Sequence, residues 1–229
     1  MCNTKMSRRP VRRLKIFFHF EYTRTEAARN CPAEDTEVLL KLTDANMKRV
    51  KGLAEIQTKK YGHDTGHFTL KRMESSHLIG FIGEVGVLQY FESAGFAPPV
   101  SGLCPMGDRY DVFVGINGSK YKAHVKTGRW REWPSIASAF GVHWDQKIEN
   151  SQAPVILVSF TRDSLPEVNI EGFVSPEYIG RCKVIEAEEP FPGQKYPSRC
   201  RNWLTYVMDF RKNDISGIFR YFESRHLWV

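Results

Sequence analysis

Asp111, His124 and Lys126 are a carboxylate, an imidazole and an ammonium that a single turn can bring to one patch. Asn117-Gly118 lies between two alternating segments, Arg-Tyr-Asp-Val-Phe-Val-Gly-Ile and Ser-Lys-Tyr-Lys-Ala-His-Val-Lys. Asn-Gly in that setting signals a hairpin, because a two-residue type I′ turn needs positive φ at both positions. The register then opposes Ile116 to Ser119 and Asp111 to His124. Side chains alternate faces along a strand. Tyr110, Val112, Val114, Tyr121, Ala123 and Val125 are therefore expected on one apolar face, with Asp111, Phe113, Lys122, His124 and Lys126 on the other. Opposed Cβ atoms stand roughly 5 Å apart, so Asp111 and His124 are expected within reach of one metal ion. Lys126 follows two residues on, on the same face.

The elements that must position these residues can be read from the rest of the chain. A helix is expected from about Ser76 to Ala94, closed by Gly95, with Pro98 and Pro99 breaking the chain before the hairpin. On such a helix Glu84 shares a side with Phe81, Leu88 and Phe91. Gly80, Gly83 and Gly86 each cost a helix about 1 kcal/mol relative to Ala, so a backbone or a ligand is expected to pass close there. A carboxylate on an apolar stripe is rarely left unpaired. Glu84 is either a member of the site or a residue at the stripe's edge paired to an arginine. Further upstream, strands are expected near 13–22 and 37–43, and a helix from about 45 to 60 capped by Thr43 or Asp44. Residues 61–76 read as a loop; His63, His67 and His77, around the start of the expected helix, are not assigned to a metal, because Gly62 and Gly66 argue against a helical His pair. Residues 127–136 read as a second loop. Pro154–Thr161 is a continuous apolar run of buried-strand length with a neighbour at Glu167–Val174. The tail from Asn202 to His226 reads as partly helical. The expected division is a basic strand–helix extension at 1–60, a core at 61–200 and a C-terminal segment at 201–229.

A chain of 229 residues holds one domain with additions or two small ones, and can build a real core. No stretch approaches the roughly 20 apolar residues of a membrane span. The basic N-terminus is followed by a run broken by Lys15, His19 and Glu21, a poor secretory leader. Five scattered cysteines with no Cys-x-x-Cys fit reduced thiols in a cytoplasmic protein better than disulfides or structural zinc. A net charge of +7 favours an anionic partner, with nucleic acid first.

Taken in order, the chain has a Gly-x-x-Gly-Glu helix (Gly80 to Glu84), a strand bearing Asp111, a tight turn, and a strand ending His124-Val125-Lys126. This pattern, over about residues 76–175, resembles the PD-(D/E)XK nuclease superfamily, the restriction-endonuclease-like fold. The resemblance implies an α/β fold with an αβββαβ core, a central mixed sheet flanked by helices. It implies a metal-dependent endonuclease acting on DNA, with Mg²⁺ or Mn²⁺ as cofactor and Asp111 as metal ligand. Lys126 would orient or deprotonate the attacking water, and Glu84 would add a carboxylate near the metal. It leaves room for a homodimer, and expects no membrane. The family has Asp or Glu where this chain has His124. Mg²⁺ prefers oxygen ligands, whereas imidazole suits softer ions such as Mn²⁺. Three readings stay open: Glu84 restores the second carboxylate, the metal preference has changed, or the protein is a non-cutting nucleic-acid-binding relative. His124 itself is either a ligand or a structural residue. Lys122, Arg129, Trp130 and Arg131 are the candidate nucleic-acid contacts, since arginine interleaved with tryptophan suits phosphates and base stacking. Trp133, before Pro134, fits a core plug equally well.

Overall fold

The apolar run Val155–Phe160 is a strand with every residue buried, and alternate side chains enter two different cores. Ile156, Val158 and Phe160 join one; Val155 and Leu157 join the other. A strand buried on both faces needs covering layers on both sides, and the remaining elements supply them.

The computed structural model describes residues 38–61, 70–106, 108–129, 139–143, 151, 153–161, 166–192, 197–198 and 200–226. All lie in a single unit running from Pro32 to Val229. In chain order the elements are β1 (Val38–Lys41), α1 (Asp44–Tyr61), α2 (Leu70–Ser93), β2 (Ser101–Leu103), β3 (Val112–Ile116), β4 (Ser119–Arg129) and β5 (Ala139–His143). There follow β6 (Val155–Phe160), β7 (Glu167–Val174), α3 (Pro176–Ile179), β8 (Val184–Ile185), β9 (Asn202–Tyr206), α4 (Val207–Arg211), a 3₁₀ turn at Ile215–Gly217 and α5 (Ile218–His226). The fold class is mixed α/β. The main sheet has the order β1-β7-β6-β4-β3-β2, and a smaller sheet has the order β5-β9-β8. In the main sheet only β4 and β6 run parallel; every other pair is antiparallel. One core lies beneath α1, α2 and α5, where Val50, Val85, Phe91 and Phe222 meet Val112, Val114 and Ala123. The other lies beneath the small sheet and α4, where Trp203, Val207 and Phe210 meet Leu157 and Val174.

The helices start and stop for local reasons. Thr43 caps α1, its Oγ1 accepting from the Asn46 amide at 3.1 Å. After α2, Gly95 adopts φ +90°, and the Phe96 amide reaches back to the Phe91 carbonyl at 2.8 Å, a left-handed helix stop. The helix begins at Leu70 rather than near Ser76. The Asn117-Gly118 turn has φ of 50° and 83°, and Ile116 pairs with Ser119, so the expected register forms.

Three further expectations need correction, beyond the helix start, which also makes 70–76 helix rather than loop. The segment from 127 does not begin a loop: Thr127, Gly128 and Arg129 continue β4, because each pairs with a residue of β6, from Val158 to Phe160. The tail is not helical at its start, since Asn202–Tyr206 is a strand held between β5 and β8. Tyr110 does not share the face of Val112. The ladder of β3 ends at Val112, so alternation no longer governs residue 110. The expected strand at 13–22, and His63 and His67, lie outside the described residues. Among the described residues no helix is long and apolar enough to cross a membrane.

Candidate active site

Helix α2 approaches the main sheet at two glycines, one over β4 and one over β7. A Cβ at Gly83 would stand 1.9 Å from Thr127 Oγ1, and one at Gly86 would stand 2.6 Å from Val168 Cγ1. Only bare backbone fits there, so the helix lies lower on the sheet than any other residue would allow. The glycines thus accommodate protein side chains. The residue after Gly83 is Glu84, and the residue before Thr127 is Lys126. Glu84 and Lys126 lie close enough for each to feel the other's charge.

Asp111 completes the group from the third direction. Its backbone amide donates to the Ala123 carbonyl at 3.1 Å, and its Oδ2 accepts the Val125 amide at 2.7 Å. That pins the carboxylate on β4, one residue before Lys126. Glu84, Asp111 and Lys126 are all half-buried. Their ionisation shows their mutual reach. Burial, then the neighbouring Asp111 carboxylate, pushes Glu84 up to about 8, with Lys126 opposing. Burial raises Asp111 as well, against the pull of Lys126 and of the Val125 amide. Burial lowers Lys126, while Asp111 and Glu84 hold it up. Two carboxylates and one ammonium, all partly stripped of water, are the kind of constellation in which acid–base groups become tunable.

His124 is placed differently. It is 0% exposed, and neither ring nitrogen has a hydrogen-bond partner. Burial, followed by the positive charges of Lys126 and Arg109, depresses it to about 3, so it stays neutral at physiological pH. Tyr110 packs on it, ring centroids 5.1 Å apart, and Lys122 lies over the Tyr110 ring at 4.8 Å. Lys122 is engaged by Asp108 at 3.0 Å. Among the described residues no three His, Cys, Asp or Glu side chains form a set that holds a metal. The structure therefore brings Glu84, Asp111 and Lys126 together, and does not gather Glu84, Asp111 and His124 into a three-ligand set.

The donor chemistry is consistent with a hard divalent cation at Glu84 and Asp111, since two adjacent carboxylates in a desolvated setting repel each other until a cation joins them. The side chain of Arg129, and Trp130, Arg131 and Trp133 entirely, lie outside the described residues. His77 belongs elsewhere, its Nδ1 2.9 Å from Thr58 Oγ1. Thr127 and Tyr110 were missed as site neighbours. Thr127 was legible in principle, because alternation from Val125 directs it toward the helix.

Site and fold together define a mixed α/β protein in which a helix carrying one carboxylate, Glu84, lies over a sheet that presents a second, Asp111, and a lysine, Lys126. The chain matches no family model, no curated protein and no solved structure.

Proposed function

We propose that this chain is a metal-dependent endonuclease that hydrolyses DNA phosphodiester bonds, related to the PD-(D/E)XK nucleases. The observation that carries the reading is Asp111 pinned to β4 one residue before Lys126, with the Glu84 carboxylate of α2 within electrostatic reach of both. The order of elements supports it: a helix, three strands β2, β3 and β4 pairing antiparallel in sequence, then β6 parallel to β4. The family's core places a helix in that last crossover. Between β4 and β6 the described residues contain only β5, a departure from the pattern.

In this reading Glu84 and Asp111 hold the divalent ion. When bound, the ion acidifies a water and offsets charge on the scissile phosphate. Lys126 sets a cation against that phosphate and the attacking water. Its desolvation makes proton exchange with the water easier than for a solvated lysine. One P–O bond forms to the water oxygen, one ester P–O bond breaks, and the leaving oxygen takes a proton. Helix α2 and the hairpin keep bulk water from the carboxylates.

A second reading, a non-cutting nucleic-acid-binding relative, is favoured by His124, which is fully buried where the family has a carboxylate. Plasmid nicking with Mg²⁺ and with Mn²⁺ separates the two. Cleavage lost in Asp111→Ala, and reduced about 10²–10⁴-fold in Lys126→Ala, supports the nuclease. DNA binding with no cleavage in either ion selects the second reading.

A further inference from the structure

The outer face of α1 carries a run of cations. Lys48, Arg49, Lys51, Lys59 and Lys60 are all exposed, and the only acid among them is Glu55. Among the described residues Lys48, Arg49, Lys51 and Lys59 have no ion-pair partner. The run extends over 12 residue steps, about 18 Å at 1.5 Å per residue. At its centre stands Gly52, where an added Cβ would meet nothing within 4 Å. A rigid backbone can therefore approach the helix there.

Two hydrogen bonds fix this run against the site. Thr58 meets His77 at 2.9 Å, and Asn46 donates to Gln89 at 2.8 Å, so α1 and α2 run antiparallel. Counting between those anchors places Lys51 level with Glu84. Paired helices stand about 8–10 Å apart, so the cations lie roughly one helix beyond the carboxylates.

We infer that the exposed face of α1 is a second contact for the phosphate backbone of duplex DNA, holding the substrate while Glu84, Asp111 and Lys126 act on it. Duplex DNA carries one charge per about 1.7 Å of axis, and the cations offer it two clusters on the exposed side of one rigid helix, Lys48, Arg49 and Lys51 near one end and Lys59 and Lys60 at the other. An anionic membrane is a poorer occupant, because among the described residues of α1 the only exposed large apolar side chain is Ile56, and a surface-bound helix needs a whole apolar face. The inference rests on the proposed action on DNA and names where the duplex is held.

The test is binding of a short DNA duplex in EDTA across a salt series, comparing the parent with the triple variant Lys48→Gln, Arg49→Gln, Lys51→Gln. Each lost phosphate contact lowers the salt slope by about 0.9. The triple variant should bind about a hundredfold more weakly at physiological salt, with a slope shallower by about 2.7. All three side chains are exposed, so its thermal unfolding should match the parent's. A variant with unchanged affinity and slope overturns the inference while leaving Asp111-dependent nicking intact. Loss of nicking activity in the parent, with the slope change still present, removes the nuclease reading and keeps the contact. A parent that binds no DNA overturns both.

Discussion

Glu84 is held in a setting that disfavours its own charge. In an unfolded chain it ionises near its ordinary value of 4.5, whereas burial and Asp111 delay ionisation to about 8 in the folded protein. Between those values the folded state holds a proton that the unfolded state has released, so metal-free stability falls as pH rises. Glu84→Gln removes the titration without removing the shape. Chemical denaturation without metal should show Glu84→Gln near parent stability at pH 5 and above it at pH 8; equal curves at both would mean that Glu84 is solvated. His124 poses the opposite case, since its pKa near 3 leaves it uncharged at any working pH. If it serves the metal at all, it does so as a neutral, softer donor. His124→Glu should preserve or raise Mg²⁺-supported cleavage, and His124→Ala should lower Mn²⁺-supported cleavage. Unchanged Mn²⁺ activity in His124→Ala would make the residue a packing partner of Tyr110 and nothing more.

At the scale of elements, the decisive contact is α2 on β4. Gly83→Ala puts a methyl group 1.9 Å from Thr127 Oγ1 and 2.9 Å from Thr127 Cβ. The helix must lift, at an overpacking cost of about 1–3 kcal/mol, and Glu84 lifts with it. Gly83→Ala should therefore lose stability and activity together. Adding Thr127→Ala should recover part of each, because the 2.9 Å Cβ contact remains; strictly additive losses in a double-mutant cycle would show that the two residues do not touch. The glycines were legible in the sequence as a close approach, but not what approaches, since Thr127 and Val168 are distant in the chain. The hairpin register was legible because it is local: Asn117 and Gly118 dictate the turn, and period-two alternation does the rest. That logic stops where the ladder stops, which is why Tyr110 falls on the His124 side. Strands β2, β5 and β8 have two to five residues, and pairing with distant partners decides them. Gly128 weakens a strand by propensity, yet it is held in β4 by parallel pairing with Ser159.

Across the whole molecule, the proposed function would set metal and proton in competition for the same carboxylates. Bringing a divalent ion to Glu84 and Asp111 expels the proton that Glu84 retains up to about 8. Below that pH, apparent metal affinity should rise about tenfold per unit, the full effect of one displaced proton. Bound ion stabilises only the folded state, by about 2.7 kcal/mol at a hundred times its dissociation constant. Without metal, Glu84 makes the protein less stable as pH climbs from 4.5 toward 8. With saturating metal the carboxylate stays ionised in the folded state, and the sign reverses: stability now rises with pH through the ordinary glutamate range and then levels. Thermal unfolding at pH 6 and pH 8, with and without Mn²⁺, reads this directly. The metal-induced rise in Tm should be larger at pH 8, and Glu84→Gln should abolish the difference between the two pH values. A rise that is equal at both pH values in the parent would place the ion away from Glu84.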